Sequence, residues 1–284
     1  MNPSQPVFRD PRLYQIFILS ALLIYGVICL DLEIPAGRAL LLITAALLFQ
    51  WLCTRLWRLP IFDPRSAMIS GLSLCLLLRT NSMALAALAA GLAITSKLTL
   101  RVRGKHIFNP TNFGIVATML ATGGVWVSPG QWGNRAFFAF LLACLGGLVV
   151  NRAARGDVTF AFLGSHLAIL FGRALWLGQP LAIPFHQLGS GALLIFTFFM
   201  ISDPRTTPDS RAGRILFALL VAIGAGTVQF VLYRPNGLLL ALFCLAPTVP
   251  LIDRWLPGER YAWRRTKAPI HVPKPSLLEE RRFA

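Results

Sequence analysis

SAMISGLSLCLLL at residues 66–78 and SGALLIFTFFMI at residues 190–201 are the two most informative stretches of this chain. Both are apolar and short, and each contains a Ser-Gly pair, Ser70-Gly71 or Ser190-Gly191. Thirteen helical residues extend about 20 Å, whereas the hydrocarbon of a membrane is about 30 Å thick. Two such helices in matching positions predict a site near the midplane, although ordinary spans with later ends fit the same letters.

The rest of the chain supports a membrane protein. Of its 284 residues, 56% are hydrophobic and 13% are charged, which is too few polar side chains to cover a soluble protein. We predict one membrane domain at 13–253, after a cytoplasmic N-terminus at 1–12 and before a basic, Pro-rich cytoplasmic tail at 254–284. Ten spans are predicted: 13–30, 38–54, 66–78, 83–98, 110–124, 135–150, 158–176, 190–201, 213–233 and 237–252.

The basic residues predict the orientation. If the chain has ten spans, most of its 27 Lys and Arg residues lie on the side of the N-terminus. Each connection on the opposite side contains only one arginine. These five are Arg38, Arg79, Arg135, Arg173 and Arg234. Cytoplasmic loops collect Lys and Arg, so we expect a multi-pass protein of the inner (plasma) membrane with both termini cytoplasmic. The net charge of +16 then reflects orientation in a lipid bilayer, and we expect no nucleic-acid partner.

Helix-start signals favour the same topology. Asp10-Pro11, Asp63-Pro64, Asn109-Pro110 and Asp203-Pro204 precede the first, third, fifth and ninth spans, and Asp157 precedes the seventh. Asp or Asn followed by Pro is typical of a helix cap. Ten spans also divide into two halves of five, and such halves, if related, are inverted repeats.

Two polar segments predict the mouth of a central site. Residues 101–112 contain Lys105, His106, Asn109 and Asn112, and residues 202–214 contain Asp203, Thr206 and Thr207. Each segment leads into a helix N-terminus, where amides and basic groups could hold an anion. Capping and positive-inside charge alone explain the same residues.

Ionisable groups are scarce within the predicted spans. No Asp or Glu lies mid-span, and the best intramembrane candidates are Gln50, His166 and Gln229. A lone histidine such as His166 is more typical of packing than of a proton relay. We find no nucleotide, protease or esterase motif, no cysteine pair and no metal-ligand cluster, and we predict no catalytic residue.

The chain resembles the RnfD and NqrB family of membrane redox subunits. Residues 108–114 (FNPTNFG) are similar to the family's FNPA-x-x-G segment. Residues 186–253 resemble the end of RnfD in several elements: His186, Leu188, Ser190-Gly191-Ala192, Phe198-Phe199, Asp203-Pro204, Gly213-Arg214, Phe217, Pro235-Asn236-Gly237 and Pro250–Asp253. The resemblance implies a urea-transporter-like fold of two inverted five-helix repeats.

The resemblance also implies flavin. In the family, covalent FMN is attached to a threonine of a Ser-x-Ala-Thr motif, in a long insertion between spans five and six. Here the corresponding connection, 124–134 (GVWVSPGQWGN), is short and has no threonine. This departure argues against covalent FMN and leaves a non-covalent flavin, FMN or riboflavin, as the expected cofactor.

The resulting hypothesis is a membrane subunit that couples electron flow to ion movement, with other subunits of a redox complex as partners and no complete active site of its own. Two alternatives are a small-solute channel or transporter on the same scaffold and a non-redox membrane anchor. The candidate cofactor-binding residues are Ser70, Gly71, Lys105, His106, Asn109, Asn112, Ser190, Gly191, Asp203, Thr206 and Thr207.

Overall fold

A computed structural model describes residues 11–29, 32, 34–127 and 155–261. The elements follow in this order: α1 (Pro11–Cys29), α2 (Ala36–Leu56), α3 (Pro64–Leu77), β1 (Leu78–Thr80), α4 (Met83–Thr99), β2 (Arg101–Val102), β3 (Lys105–His106), α5 (Pro110–Thr122), β4 (Val125–Val127), α6 (Gly156–Trp176), α7 (Ala182–Leu188), α8 (Gly191–Ile195), a π-helical segment (Phe196–Met200), α9 (Arg211–Phe230), α10 (Gly237–Leu245), a 3-10 turn (Ala246–Thr248) and α11 (Val249–Trp255). The predicted span 135–150, Asp10 and most of the connection 124–134 lie outside the described residues.

The described chain is mostly helical and apolar. Five helical stretches are long and apolar enough to cross a membrane: Arg12–Cys29, Ala36–Leu56, Gly156–Trp176, Arg211–Phe230 and Gly237–Trp255. A sixth is a broken helix, in which Ala182–Leu188 and Gly191–Met200 meet at 54°. Large apolar side chains such as Phe17, Ile24 and Trp176 are exposed, as expected for surfaces that face lipid. The protein is therefore a multi-pass membrane protein.

The two short helices are present. Helix α3 has 14 residues, so it extends about 21 Å. The helix from Gly191 to Met200 is shorter still and ends in a π-helical segment. Nine of the 14 residues of α3, including all from Ser70 to Leu77, and nine of the ten residues of Gly191–Met200 are buried, so both helices lie at the centre of the bundle rather than against lipid.

Two short pairs of strands interrupt the mostly helical fold. Strand β1, which follows α3, pairs antiparallel with β4, and Leu78 lies opposite Val127. Backbone groups that leave a helix inside a membrane need protein partners, and this pairing supplies them. Strands β2 and β3 form a hairpin whose turn residues, Arg103 and Gly104, both have positive φ, at 51° and 79°. Such a two-residue turn matches the twist of paired strands.

Small residues set the distances between the central helices. A Cβ on Gly114 would lie 2.4 Å from the carbonyl oxygen of Ala89, so α5 packs directly on the backbone of α4. A Cβ on Gly71 would lie 3.1 Å from the Cα of Ile43 in α2. Glycine allows such backbone approach in membrane helices. Gly71 therefore has a packing role in this structure, and it does not line the cavity predicted for it.

Of the four described cap predictions, the N-cap position is confirmed for Asn109 and Asp63, and only Asn109 makes a side-chain cap bond. Asn109 caps α5, since its Oδ1 accepts a hydrogen bond from the backbone N of Asn112 at 3.1 Å. Asp63 precedes α3 but makes no side-chain cap and pairs with Arg12 at 2.5 Å. Asp157 lies inside the first turn of α6. Asp203 does not cap α9, because that helix begins later and is capped by Ser210.

Candidate functional site

Two cavities lie at opposite ends of the helical bundle. The inner cavity lies on the side where α1, α3 and α5 begin, and its volume is about 230 Å³. The outer cavity lies on the side where α7 and α10 begin, and its volume is about 620 Å³. The polar residues of the inner cavity are Arg12, Gln15, Gln50, Asp63, Ser66, Ser70, Ser73, Lys97, Arg101, His106, Asn109, Thr111, Ser202, Asp203 and Arg205.

Lys97 is the most deeply placed cation of the inner cavity. Lys97 lies within α4 and is only 4% exposed. Its Nζ donates a hydrogen bond to Ser66 Oγ at 3.1 Å. From the sequence, this lysine was predicted only to mark orientation. The signal that could have identified it is a lysine within the mostly apolar stretch GLAITSKL, because ionisable groups within spans mark functional sites.

Asn109 and Asp203 join the two halves of the chain at this cavity. The amide of Asn109 donates to the carbonyl oxygen of Met200 at 3.4 Å and lies 3.5 Å from Asp203 Oδ2. The other oxygen of Asp203 accepts from the backbone N of Arg205 at 2.9 Å. Burial raises the pKa of Asp203, and the hydrogen bond from Arg205 and the neighbouring cations partly offset that rise.

Thr206 and Thr207 shape the turn around Asp203 rather than the cavity. Both side chains are buried, and their hydroxyls donate to the carbonyl oxygen of Asp203 at 3.3 and 3.1 Å. Their backbone N–H groups bond to the same oxygen. These threonines therefore hold the backbone of Asp203 in place, and they are absent from the described wall of the inner cavity.

His106 lines the inner cavity from the β2–β3 hairpin. Within the described chain, its Nδ1 is buried and has no hydrogen-bond partner. Burial, helped by the nearby Arg101 and Arg205, lowers the pKa of His106 to about 3. The imidazole is therefore neutral at physiological pH and can either donate or accept a hydrogen bond there.

Lys105 does not face the inner cavity, in contrast to its predicted position. Its Nζ lies 2.9 Å from Asp209 Oδ1 and 2.8 Å from Asp253 Oδ2. Asp253 also accepts from the backbone N of Asp209 at 2.7 Å. The lysine ties the hairpin to the C-terminal half, and its charge is already compensated. The sequence places Lys105 and His106 side by side, but consecutive strand residues point to opposite faces.

Asn112 also has a structural position. It is fully buried in α5, and its Nδ2 donates to the carbonyl oxygen of Leu239 in α10 at 3.2 Å. It is not among the described residues of the inner or the outer cavity. The contact fixes the first turn of α5 against the outer half of the bundle.

The outer cavity has a different wall. Its polar residues are His166, His186, Gln187, Ser190, Gln229, Arg234 and Asn236. Ser190 therefore lies in a different cavity from Ser70, so the prediction that both line one central cavity is wrong. Gly191 is buried at the start of α8 and is not part of the described wall.

A thin apolar layer separates the cavities. On α3, Ser73 lines the inner cavity and Leu77 lines the outer one, so the layer is about one helical turn thick. Leu74 and Leu76 lie between them and are almost completely buried. Thr197 lies between the two cavities on the π-helical segment, and its hydroxyl donates a hydrogen bond to the carbonyl oxygen of Leu193. The layer blocks a direct passage in the described state.

The fold and the two cavities define a class: helical multi-pass membrane proteins with broken or short helices around central sites. The family described as NQR2, RnfD, RnfE matches residues 118–262. The chain belongs to this family. The expected resemblance to RnfD and NqrB is therefore confirmed at the level of the family.

Curated relatives share about a third of the matched residues. A protein of Erwinia tasmaniensis is 30% identical over 162 residues, which are 56% of this chain and 41% of that protein. One of Escherichia coli is 30% identical over 175 residues, 60% of this chain and 46% of that protein. Both are named as subunits of an ion-translocating oxidoreductase complex. The match thus spans less than half of either relative's length.

Proposed function

We propose that this chain is a membrane subunit of an ion-translocating oxidoreductase complex, in which it carries electrons and works with other subunits. Membership of the NQR2, RnfD, RnfE family and the names of the relatives support this role. The observation that carries it in the molecule is the inner cavity, where cations and hydrogen-bonding groups line a buried space.

The inner cavity has the chemistry that a non-covalent flavin requires. The flavin ring presents carbonyl oxygens and one N–H along a single edge, and Asn109 and Asp203 offer a donor and an acceptor side by side. Buried atoms without partners in the described chain, Gln50 Oε1 and His106 Nδ1, remain for further bonds. The volume lies just below that of typical ligand pockets, so the cavity would enclose the ring rather than a whole nucleotide.

A bound flavin would supply the capacity to accept and release electrons. The chain's own residues would set the electrostatic environment of that step. Lys97, Arg101 and Arg205 place positive charge at the cavity, while Asp63 is already paired with Arg12. Positive charge in a poorly solvated site favours a ligand that becomes more negative. The cavity would therefore stabilise the reduced ligand.

We further propose the orientation and the repeat arrangement. Helix α3 enters from the inner side and α8 enters from the outer side, so the two short helices run in opposite directions. This supports two inverted five-helix repeats of the urea-transporter type. The basic residues around the inner cavity support a cytoplasmic inner side, both termini in the cytoplasm and residence in the inner membrane, with lipid rather than nucleic acid around the chain.

The first experiment is an absorption spectrum of the detergent-purified protein before and after acid precipitation. Flavin absorbs near 450 nm, and we expect it in the supernatant, because the connection 124–134 offers no threonine for attachment. Flavin in the pellet would contradict the non-covalent proposal. A colourless, folded protein that also fails to take up riboflavin would contradict the redox role.

A small-solute channel is the second candidate, because the two cavities approach each other from opposite ends of the bundle. A solute would cross if the apolar layer opened. Uptake by liposomes that contain the protein tests this function. A colourless protein that shows no uptake would instead support a membrane anchor of a redox complex.

A further inference from the structure

The outer cavity has features of a ligand site that the proposed flavin site does not use. Its walls are mainly apolar, with Leu193, Phe196 and Leu239 among them. The described residues of its wall include no aspartate or glutamate. A cavity without acidic groups does not favour a cation, and apolar walls disfavour a strongly hydrated sugar.

Two helices begin at this cavity without side-chain caps. The ten-residue helix Gly191–Met200 starts after Ser190, and α10 starts after Asn236, and neither residue makes a side-chain cap bond. The helices that begin after Ser82, Asn109 and Ser210 have such a bond, whereas α2, α3, α6 and α7 also begin without one. Helix N-termini carry partial positive charge and free N–H groups, which suit an anion. The helix Gly191–Met200 starts at a 54° break in a span. In many transporters, the N-terminus of a half-helix at such a break binds the anionic group of the substrate.

A second observation points to a ligand. His166 of α6 is 4% exposed and lines the same cavity, and its Nδ1 has no partner among the described residues. The ring stacks on Phe162, with centroids 5.5 Å apart, so its orientation is held by packing. A buried polar atom without a partner is costly unless something supplies the missing bond. An oxygen atom of a ligand would do so.

Arg234 adds a charge at the outer rim. Arg234 is exposed and is one of the described residues that line the outer cavity. It could attract an anion to the mouth, while the helix N-terminus and His166 would bind it further in. An apolar body would then contact Phe196 and Leu193.

We propose that the outer cavity binds an organic monoanion, with a carboxylate on an apolar body. The carboxylate contacts the N-terminus of Gly191–Met200 and His166, and the body lies on the apolar wall. The site is separate from the inner cavity and does not depend on flavin. The carboxylate could belong to a water-soluble acid or to a fatty acid from the membrane, and these two sources are separated by the probes below.

The test is calorimetric titration of the full chain in uncharged maltoside detergent. Benzoate is the soluble probe, laurate below its micellar concentration is the lipid probe, and benzamide and benzylamine are the neutral and cationic counterparts of benzoate. We expect benzoate or laurate to bind, and benzamide and benzylamine to bind at least tenfold more weakly. The probe that binds identifies the source.

Variants locate the site. His166→Leu should weaken binding about tenfold, as expected for the loss of a hydrogen bond to a charged group. Ala192→Phe should abolish binding, because it fills the cavity and leaves the backbone amides in place. Arg173→Gln is the control, since Arg173 lies near the outer end of α6 but outside the described wall, bonded to Gln179. It should change affinity less than twofold.

Three results would overturn the proposal. One is equal affinity for benzoate and benzamide. Another is the absence of benzoate and laurate binding to a protein with a sharp thermal unfolding transition. The last is unchanged affinity in both His166→Leu and Ala192→Phe. If flavin is absent but benzoate binds with this pattern, the redox proposal fails and the anion site stands.

Discussion

The inner and outer ends of the molecule solve the problem of buried polar groups in different ways. At the inner end, Lys105 pairs with Asp209 and Asp253, Arg214 pairs with Asp157, and Arg12 pairs with Asp63. The outer cavity has Arg234 at its rim, and its described wall contains no acidic partner. Ion pairs thus hold the inner end together, and the larger outer cavity has no such pair in its described wall.

The difference indicates separate roles for the two ends. A network that crosses between distant segments fixes the geometry of the inner end, as the proposed electron transfer would require. The outer cavity is bounded by helix ends and loops, which adapt more easily to a ligand. Four substitutions, given in order of decreasing effect, test this contrast.

Lys105→Met should have the largest effect on stability. It leaves the poorly exposed carboxylates of Asp209 and Asp253 next to each other without a cation. Breaking a largely buried ion pair costs about 3 kcal/mol. We expect the midpoint of thermal unfolding in detergent to fall by several degrees, whereas Arg103→Met, at an exposed position of the same hairpin, should leave it unchanged. Equal losses in both variants would refute a special role for the ion pairs.

Asn109→Ala should cost less stability but should release flavin. It removes the cap of α5 and the contact with Asp203, for a loss of about 2 kcal/mol. Ser82→Ala is the matched control, because it removes an equivalent cap from α4 at the outer end. It should cost about 1 kcal/mol and leave the flavin absorbance per protein intact. If both variants lose flavin, the loss reflects general destabilisation.

His106→Gln should weaken the dependence of stability on pH. The pKa of His106 is lowered to about 3 in the folded protein, and an unfolded histidine has its usual pKa of about 6.5. The unfolded state therefore binds more protons between these values, so wild-type stability is full above pH 6.5 and falls as the pH drops toward 3. Unfolding midpoints at pH 7 and pH 5 should differ less in the variant. If the two midpoints differ as much in the variant as in the wild type, His106 is exposed to water in the folded protein.

Gln229→Leu should have the smallest effect. Gln229 is a half-buried residue of the outer cavity with no ion pair, and its substitution should change stability by no more than about 0.5 kcal/mol. The flavin absorbance should also stay the same. Loss of flavin in this variant would show that the two cavities act as one site and would remove the contrast.

The sequence predicted the elements better than the site. Apolar run lengths revealed the short helices at 66–78 and 190–201, since chain length limits how far a helix extends. The sequence also predicted that Asn109 and Asp203 lie together at the cytoplasmic mouth of the site, because the order of the spans places both segments on the same side. Lys105 was misplaced because strand alternation decides which way its side chain points, and Ser190 was misplaced because its helix begins at the outer end of the bundle, opposite to α3. Lys97 was missed because its charge was attributed to orientation alone, and its contact with Ser66 comes from tertiary packing.

The pairing of β1 with β4 constrains biogenesis. The backbone groups of Leu78 to Thr80 find their partners on Val125 to Val127, beyond two intervening helices. Until the ribosome has delivered Val127, the end of α3 has no strand with which to pair, and hydrocarbon offers no substitute. The strand after α3 therefore obtains its partner only after β4 has been synthesised. Helix α3 reaches its final depth only after the nascent chain has passed the fifth helix.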